Sequence, residues 1–216
     1  MSSFLLEAKS ISHGFDYPLF RDIDFTIAPQ KSAAIVGRSG SGKSTFLHIL
    51  STFISPNEGE VTLFNRDIYS LNEEEIESLR RYDIGMIFQF HYLFKGMRAL
   101  DNIGVAMMLS ETSLDEALLE KLQIGHLMNH KSSELSGGEQ QRVSIARVLS
   151  KKPRIIFADE PTGNLDKETA SLVMDVLLEY IERENAALVV VTHDERLAKR
   201  CHRLYRLENH TLKEER

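Results

Sequence analysis

Apolar and polar positions alternate along the first thirty residues, in FLLEAKSISHGF and then RDIDFTIAP. A period of two puts the apolar side chains on one face of a strand, so this region reads as antiparallel strands. The pattern then changes. SAAIVG (Ser32 to Gly37), RIIFAD (Arg154 to Asp159) and ALVVVT (Ala187 to Thr192) are short and almost wholly apolar. Such runs are expected of parallel strands covered on both faces. PNEGEVTLFN supplies a turn and another strand, and DIGMIF (Asp83 to Phe88) a further one. Helices are predicted from Lys43 to about Phe53, across NEEEIESLRR, across KETASLVMDVLLEYIERE, and from Asp194 to about Cys201. Between Gln89 and Ser150 the strand patterns stop and helical ones take over: LDNIGVAMML, SLDEALLEKL and GEQQRVSIARVLS. The chain ends in what reads as a polar, charged tail.

Strands alternating with helices indicate an α/β protein with a parallel sheet. The chain's 216 residues suffice for one sizeable core and are tight for two. The predicted organisation is one domain over 1–216. Residues 1–88 and 151–216 form a β subdomain and core, and 89–150 a helical subdomain.

Composition narrows the function. Apolar residues make up 42% and charged residues 27%, as in soluble globular proteins. The net charge of −6 disfavours broad phosphate-backbone binding, so no nucleic-acid partner is expected. The single cysteine, Cys201, rules out an internal disulfide and suits a reducing compartment. MSSFLLEAKS has neither the basic nor the long apolar region of a secretory signal. No run approaches the roughly 20 apolar residues of a membrane span, so a membrane role is expected through a partner.

The first glycine-rich turn, GRSGSGKS, fits G-x-x-x-x-G-K-[ST] with Gly37, Gly42, Lys43 and Ser44. It follows an apolar strand and opens a helix, the setting this motif requires. Glycines let backbone N–H groups wrap phosphate oxygens, and the helix N-terminus adds a positive dipole end. Lys43 is placed to reach the β- and γ-phosphates and Ser44 to ligate Mg²⁺. The bland alternative is a flexible turn before a helix.

Asp159 and Glu160 close the strand RIIFAD, and strand C-termini face the ligand crevice in parallel sheets. Asp159 is then placed to hold Mg²⁺, directly or through water. Glu160 lies nearer the γ-phosphate and is placed to orient or deprotonate the attacking water. His193 ends ALVVVTH. It reads either as part of a helix start, since Thr192 and Glu195 have capping-box spacing, or as a contact to the γ-phosphate or Glu160.

A second glycine turn, LSGGEQQR (Leu135 to Arg142), lacks a lysine. Ser136 and Glu139 have capping-box spacing and an amphipathic helix follows. Capping does not require two glycines, whereas close backbone approach does. Ser136, Gly137 and Gly138 therefore read as a second γ-phosphate contact at a helix N-terminus.

Together these residues resemble the ATPase subunit of an ATP-binding cassette (ABC) transporter, across nearly the whole chain. The resemblance implies a P-loop NTPase fold: a RecA-like parallel sheet core, an N-terminal antiparallel β subdomain and an inserted α-helical subdomain. GRSGSGKST is similar to the Walker A motif, implying nucleotide contacts from Gly37, Arg38, Ser39, Gly40, Ser41, Gly42, Lys43, Ser44 and Thr45. Gln89 matches the Q-loop glutamine, implied to touch Mg²⁺ and the attacking water and to signal to a membrane partner. LSGGEQQR matches the family signature, and RIIFADE matches Walker B with Glu160 as the implied catalytic base. GNLD matches the D-loop, ending at Asp166, and His193 matches the switch histidine. Phe15 is placed like the aromatic that stacks on adenine, with Tyr17 a nearby rival. That position is more often Tyr in the family. The span from Gln89 to the signature is short for the family, which implies a trimmed helical subdomain.

The resemblance further implies a head-to-tail homodimer around two Mg²⁺-ATP, each held between Walker A of one copy and the signature of the other. Transmembrane permease subunits are implied to dock near Gln89 to Phe94, where Phe90, Tyr92, Leu93 and Phe94 are expected to be exposed. That would place the chain on the cytoplasmic face of the cell membrane. ADEPTGNLD and FQFHYLF resemble the branch of lipoprotein-releasing, macrolide-efflux and cell-division cassettes. Lipoprotein release is the favoured reading. Macrolide efflux, regulation of an envelope complex, and a soluble non-transport ABC ATPase are its alternatives.

Overall fold

The structure, a computed structural model, describes residues 4–163 and 165–216. Strands β1 (Leu6–Gly14) and β2 (Pro18–Ile27) pair antiparallel, as their alternation predicts. Their inward face carries Leu6, Ala8, Ile11, Phe20, Ile23, Phe25 and Ile27. The fully buried β3 (Ser32–Val36) follows, then α1 (Lys43–Leu50), then β4 (Glu58–Leu63) and the short β5 (Arg66–Asp67). These complete a four-stranded sheet in the order β2-β1-β4-β5.

Helix α1 stops at Leu50, before the predicted Phe53. Thr52 turns to φ 74° and the Phe53 amide donates to the His48 carbonyl, a Schellman-type end. Helix α2 (Glu73–Ser78) starts on a capping box between Asn72 and Glu75 and runs into a π-helical turn, Leu79–Asp83. The single helix expected across NEEEIESLRR is thus two unlike turns. Strand β6 (Ile84–Ile87) returns to the interior.

Residues 89–150 hold α3 (Ala99–Ser110), α4 (Glu116–Lys121), two 3₁₀ turns and α5 (Gly137–Leu149). Then come β7 (Ile155–Asp159), α6 (Lys167–Arg183), β8 (Ala187–Val191) and the short α7 (Glu195–Ala198).

The chain does not end in a loose tail. Residues Arg203–Glu208 form β9 and Thr211–Glu214 form β10, a hairpin turned through Asn209 and His210, both at positive φ. Leu204 and Leu207 are buried, and β9 pairs in parallel with β3. The charges that suggested a solvated tail pair across the hairpin, Arg203 with Glu214 and Arg206 with Glu215.

The large sheet has the order β10-β9-β3-β8-β7-β6, and its five strands from β9 to β6 are parallel. Its central strands alternate between two cores. Ala33, Ile35, Ile155, Phe157, Val189 and Val191 face α1 and the small sheet. Ala34, Val36, Ile156, Ala158, Leu188 and Val190 face the helices. Burial on both faces is the reason these strands carry no polar alternation.

Candidate functional site

Because β3, β7 and β8 are parallel neighbours, the loops that leave their C-terminal ends converge. With the β1–β2 hairpin and the loop after β6 they form a cleft of about 500 Å³ lined by Phe15, Tyr17, Leu19, Gly37, Ser39, Gly40, Gly42, Lys43, Ser44, Thr45, Gln89, Asp159, Glu160, Val191 and His193. Twelve of these are ligand or catalytic candidates from sequence, and Tyr17 is the rival to Phe15.

The loop after β3 is shaped by glycine where space or conformation demands it. A Cβ on Gly37 would sit 2.4 Å from the Leu207 carbonyl oxygen. Gly42 has φ 95° and is the N-cap of α1, without any capping side-chain hydrogen bond. The first-turn amides of α1 thus stay available at a helix N-terminus, which suits an anion. Lys43 curls back, its Nζ donating to the carbonyls of Gly37 (3.0 Å) and Arg38 (2.9 Å). Burial pulls its ammonium below the usual lysine range, while the nearby Glu160 and Asp159 charges oppose that shift.

Ser44 Oγ donates to Asp159 Oδ1 at 3.0 Å. Burial raises the Asp159 carboxyl above its ordinary value, and the Ser44 hydrogen bond opposes this. These two oxygens are hard donors of the kind Mg²⁺ takes. Among the described residues no cluster of three or more His, Cys, Asp or Glu forms a protein-only metal cage. A donor set this small fits Mg²⁺, which usually completes its shell with substrate phosphates and water.

Glu160 has φ 46°, a left-handed conformation uncommon for a non-glycine residue. Its side chain is gripped twice: Thr192 Oγ1 donates to Oε2 at 3.1 Å, and His193 Nδ1 lies 2.9 Å from Oε1. Of the two readings of His193, the contact to Glu160 is present and the capping box between Thr192 and Glu195 is not. Asp194 caps α7, accepting from the amides of Arg196 and Leu197, and Glu195 pairs with Arg206. Thr192 accepts the Asp194 amide at 3.1 Å and turns its proton to Glu160. Sequence spacing thus missed Thr192 as a site residue, because the better cap lay two positions on.

Phe15 and Tyr17 both line the cleft and are exposed, at 70% and 65%, so both aromatics remain placed for a base. Arg38 and Ser41, within the same glycine loop, do not line it. Nor do Ser136, Gly137, Gly138 or Asp166. Ser136 and Glu139 do form the capping box that opens α5: Ser136 Oγ donates to Glu139 Oε2 at 2.8 Å and accepts the Glu139 amide at 3.4 Å. Hydrogen bonds from Ser136 hold the Glu139 carboxyl below its usual range. Asp166 caps α6, accepting from Glu168 N, Thr169 N and Thr169 Oγ1, the last of which depresses its pKa most. Asn164, within GNLD, lies outside the described residues. Leu93, expected to be exposed, is half-buried against the helical core, whereas Phe90, Tyr92 and Phe94 are exposed.

The sequence profile of the ABC transporter family matches residues 20–163. The chain is 41% identical to the lipoprotein-releasing system ATP-binding protein LolD of Hydrogenovibrio crunogenus, over 96% of this chain and 95% of that protein. It is likewise 41% identical to the protein of that name from Xanthomonas campestris pv. campestris, over 91% of this chain and 85% of the relative. Among solved structures, the ATP-binding cassette MJ0796, dimeric and bound to ADP and Pi after hydrolysis, superposes with a TM-score of 0.89. It is 31% identical, covering 98% of both chains.

Proposed function

The chain belongs to the ABC transporter family and is an ATPase, and on that premise we propose that it is the nucleotide-binding subunit of a lipoprotein-release system. In this reading two copies close head to tail around two ATP molecules and drive a separate transmembrane permease. The name of the relatives supports the cargo class, and the dimeric solved cassette supports the pairing.

The observation that carries the mechanism is the double grip on Glu160 at the mouth of the cleft. Thr192 and His193 hold its two oxygens, so the carboxylate is oriented before substrate arrives. In the proposal Glu160 takes the proton of the attacking water. Lys43 leaves its two carbonyl partners for the β- and γ-phosphate oxygens, the glycine-loop amides cradle the phosphate chain, and Phe15 or Tyr17 stacks on adenine. Ser44, Asp159 and Gln89 would hold Mg²⁺, which neutralises charge on the leaving phosphates when bound. Ser136, Gly137 and Gly138 stand outside their own chain's cleft, so they serve the γ-phosphate of a second copy, with Asp166 beside that interface. Residues 89–150 act as the helical subdomain against the core of 1–88 and 151–216. Exposed Phe90, Tyr92 and Phe94 offer the permease an apolar contact at the cytoplasmic side. No helix among the described residues is long and apolar enough to cross a membrane.

The test is Glu160→Gln. It should bind ATP, hydrolyse it about 10²- to 10⁴-fold more slowly, the usual worth of a general base, and accumulate as an ATP-bound dimer. Normal hydrolysis removes Glu160 as the base. A variant that stays monomeric at saturating ATP refutes the sandwich.

A further inference from the structure

The loop after β6 contains a histidine that the site described above does not use. His91 Nδ1 lies 2.5 Å from Oε1 of Gln141, on the buried side of α5. The same amide donates through Nε2 to the Pro161 carbonyl at 3.0 Å. Pro161 directly follows Glu160. One side chain of the helix that Ser136 opens therefore joins the loop of Gln89 to the loop of Glu160.

The chemistry assigns the protons. A carbonyl oxygen only accepts, so the Gln141 NH₂ must face Pro161 and its oxygen must face His91. His91 then donates from Nδ1. The ring is held as the Nδ1–H form, leaving Nε2 toward the start of α5, where a Cβ on Gly137 would lie 4.0 Å from it. Backbone ties accompany this bond. Arg147, two turns along α5, donates to the carbonyls of Tyr92 (2.8 Å) and His91 (3.2 Å). Ser132 donates to the Phe94 carbonyl, and the Phe94 amide donates to Asn102. Residues 91–94 are thus held by the helical segment, while Gln141 alone in this set reaches the loop of Glu160.

We propose that His91 is a positioning residue: through Gln141 it fixes the 89–94 loop against α5 and the Glu160 loop, and so holds Glu160 in line. This rests on the reading of Glu160 as the base. Loss of the bond leaves ATP contacts in place and loosens the alignment of Glu160, so it lowers kcat rather than raising KM.

The test has two arms on the purified chain. In the first, NMR of ¹⁵N-histidine-labelled protein without nucleotide should show His91 as the Nδ1–H tautomer, and Gln141→Leu should abolish that preference. An Nε2–H ring in the wild type overturns the proposal. In the second, His91→Leu, Gln141→Leu and the double variant are compared, with thermal unfolding confirming that each is folded. His91→Leu should lower kcat about tenfold, the scale of one lost hydrogen bond, with KM for ATP changed less than about twofold. The double variant should lie within about twofold of Gln141→Leu, because Gln141→Leu already removes the bond that His91→Leu breaks, together with the bond to Pro161. Multiplying defects, an unchanged kcat, or a defect in KM alone each overturns it. The tautomer needs no hydrolysis, so failure of Glu160 as the base and failure of this relay give different results.

Discussion

Replacing Gly42 by alanine separates two costs that the glycine loop avoids. Gly42 has φ 95°, and Gly40, two residues earlier, has φ 76°. Alanine at either position must adopt a left-handed backbone, costing about 1–2 kcal/mol. About 0.4–1 kcal/mol returns through the stiffened unfolded chain, leaving a net loss near 1 kcal/mol at Gly40, where an added Cβ meets nothing within 4 Å. At Gly42 the new Cβ lies 3.1 Å from Phe20 Cδ1, 3.2 Å from Leu19 Cβ and 3.3 Å from Phe20 Cε1. Phe20 is fully buried and packs edge-on against Phe46 of α1, so it has little room to give. Overpacking of this kind adds about 1–3 kcal/mol. For a domain of this size each kcal/mol is worth about 2–4 °C in Tm, so Gly42→Ala should melt about 2–12 °C below Gly40→Ala. Thermal unfolding by circular dichroism of the two variants, without nucleotide, measures the difference directly. Equal Tm values would mean that Phe20 and Leu19 do not set the requirement for glycine at the α1 N-cap.

Three further outcomes follow from other parts of the molecule. Ser136→Arg should block hydrolysis while leaving ATP binding by the monomer intact; calorimetric titration showing lost monomer binding contradicts the two-copy site. Tyr180→Phe removes a buried hydroxyl that donates to the Pro153 carbonyl at 3.0 Å, and should cost about 1 kcal/mol in denaturant unfolding; no change in the midpoint refutes that bond. His202 accepts the Ser32 amide on Nδ1 at 3.1 Å, and burial, aided by Lys31, holds its pKa below the ordinary value. The unfolded chain therefore binds the proton first, so stability is full above about pH 6.5 and falls as pH drops through the lowered folded-state value. Wild type should lose more Tm between about pH 7.5 and 5.5 than His202→Asn does; parallel losses refute the assignment.

Much of the site was legible because its pieces are local. The glycine loop, its lysine and the first turn of the helix it opens lie within nine consecutive residues, Gly37 to Thr45. The capping box of Ser136 and Glu139 spans one helical turn, and the apolar runs of β3, β7 and β8 announce strands buried on both faces. Each follows from rules that reach only a few positions along the chain. The C-terminal hairpin was not legible, since Arg203, Arg206, Glu214 and Glu215 read as solvated charges until β9 is set beside β3 and β10 folds back on it. The part Thr192 plays was not legible for a related reason: its spacing to Glu195 also fits a cap, and its bond to Glu160 joins residues 32 positions apart.

From its own order of residues, then, the chain determines a phosphate-binding turn, an acidic strand end, a second helix start rich in glycine, and the family to which they belong. Only the tertiary structure decides which of these meet. Parallel pairing brings Ser44 to Asp159 across 115 positions, and the packing of α5 beside β6 brings His91 to Gln141 across 50. It also leaves Ser136 and its glycines outside the cleft that Lys43 occupies. Hydrogen bonds act over about 3 Å, and no periodicity in a sequence specifies a distance that short between segments this far apart.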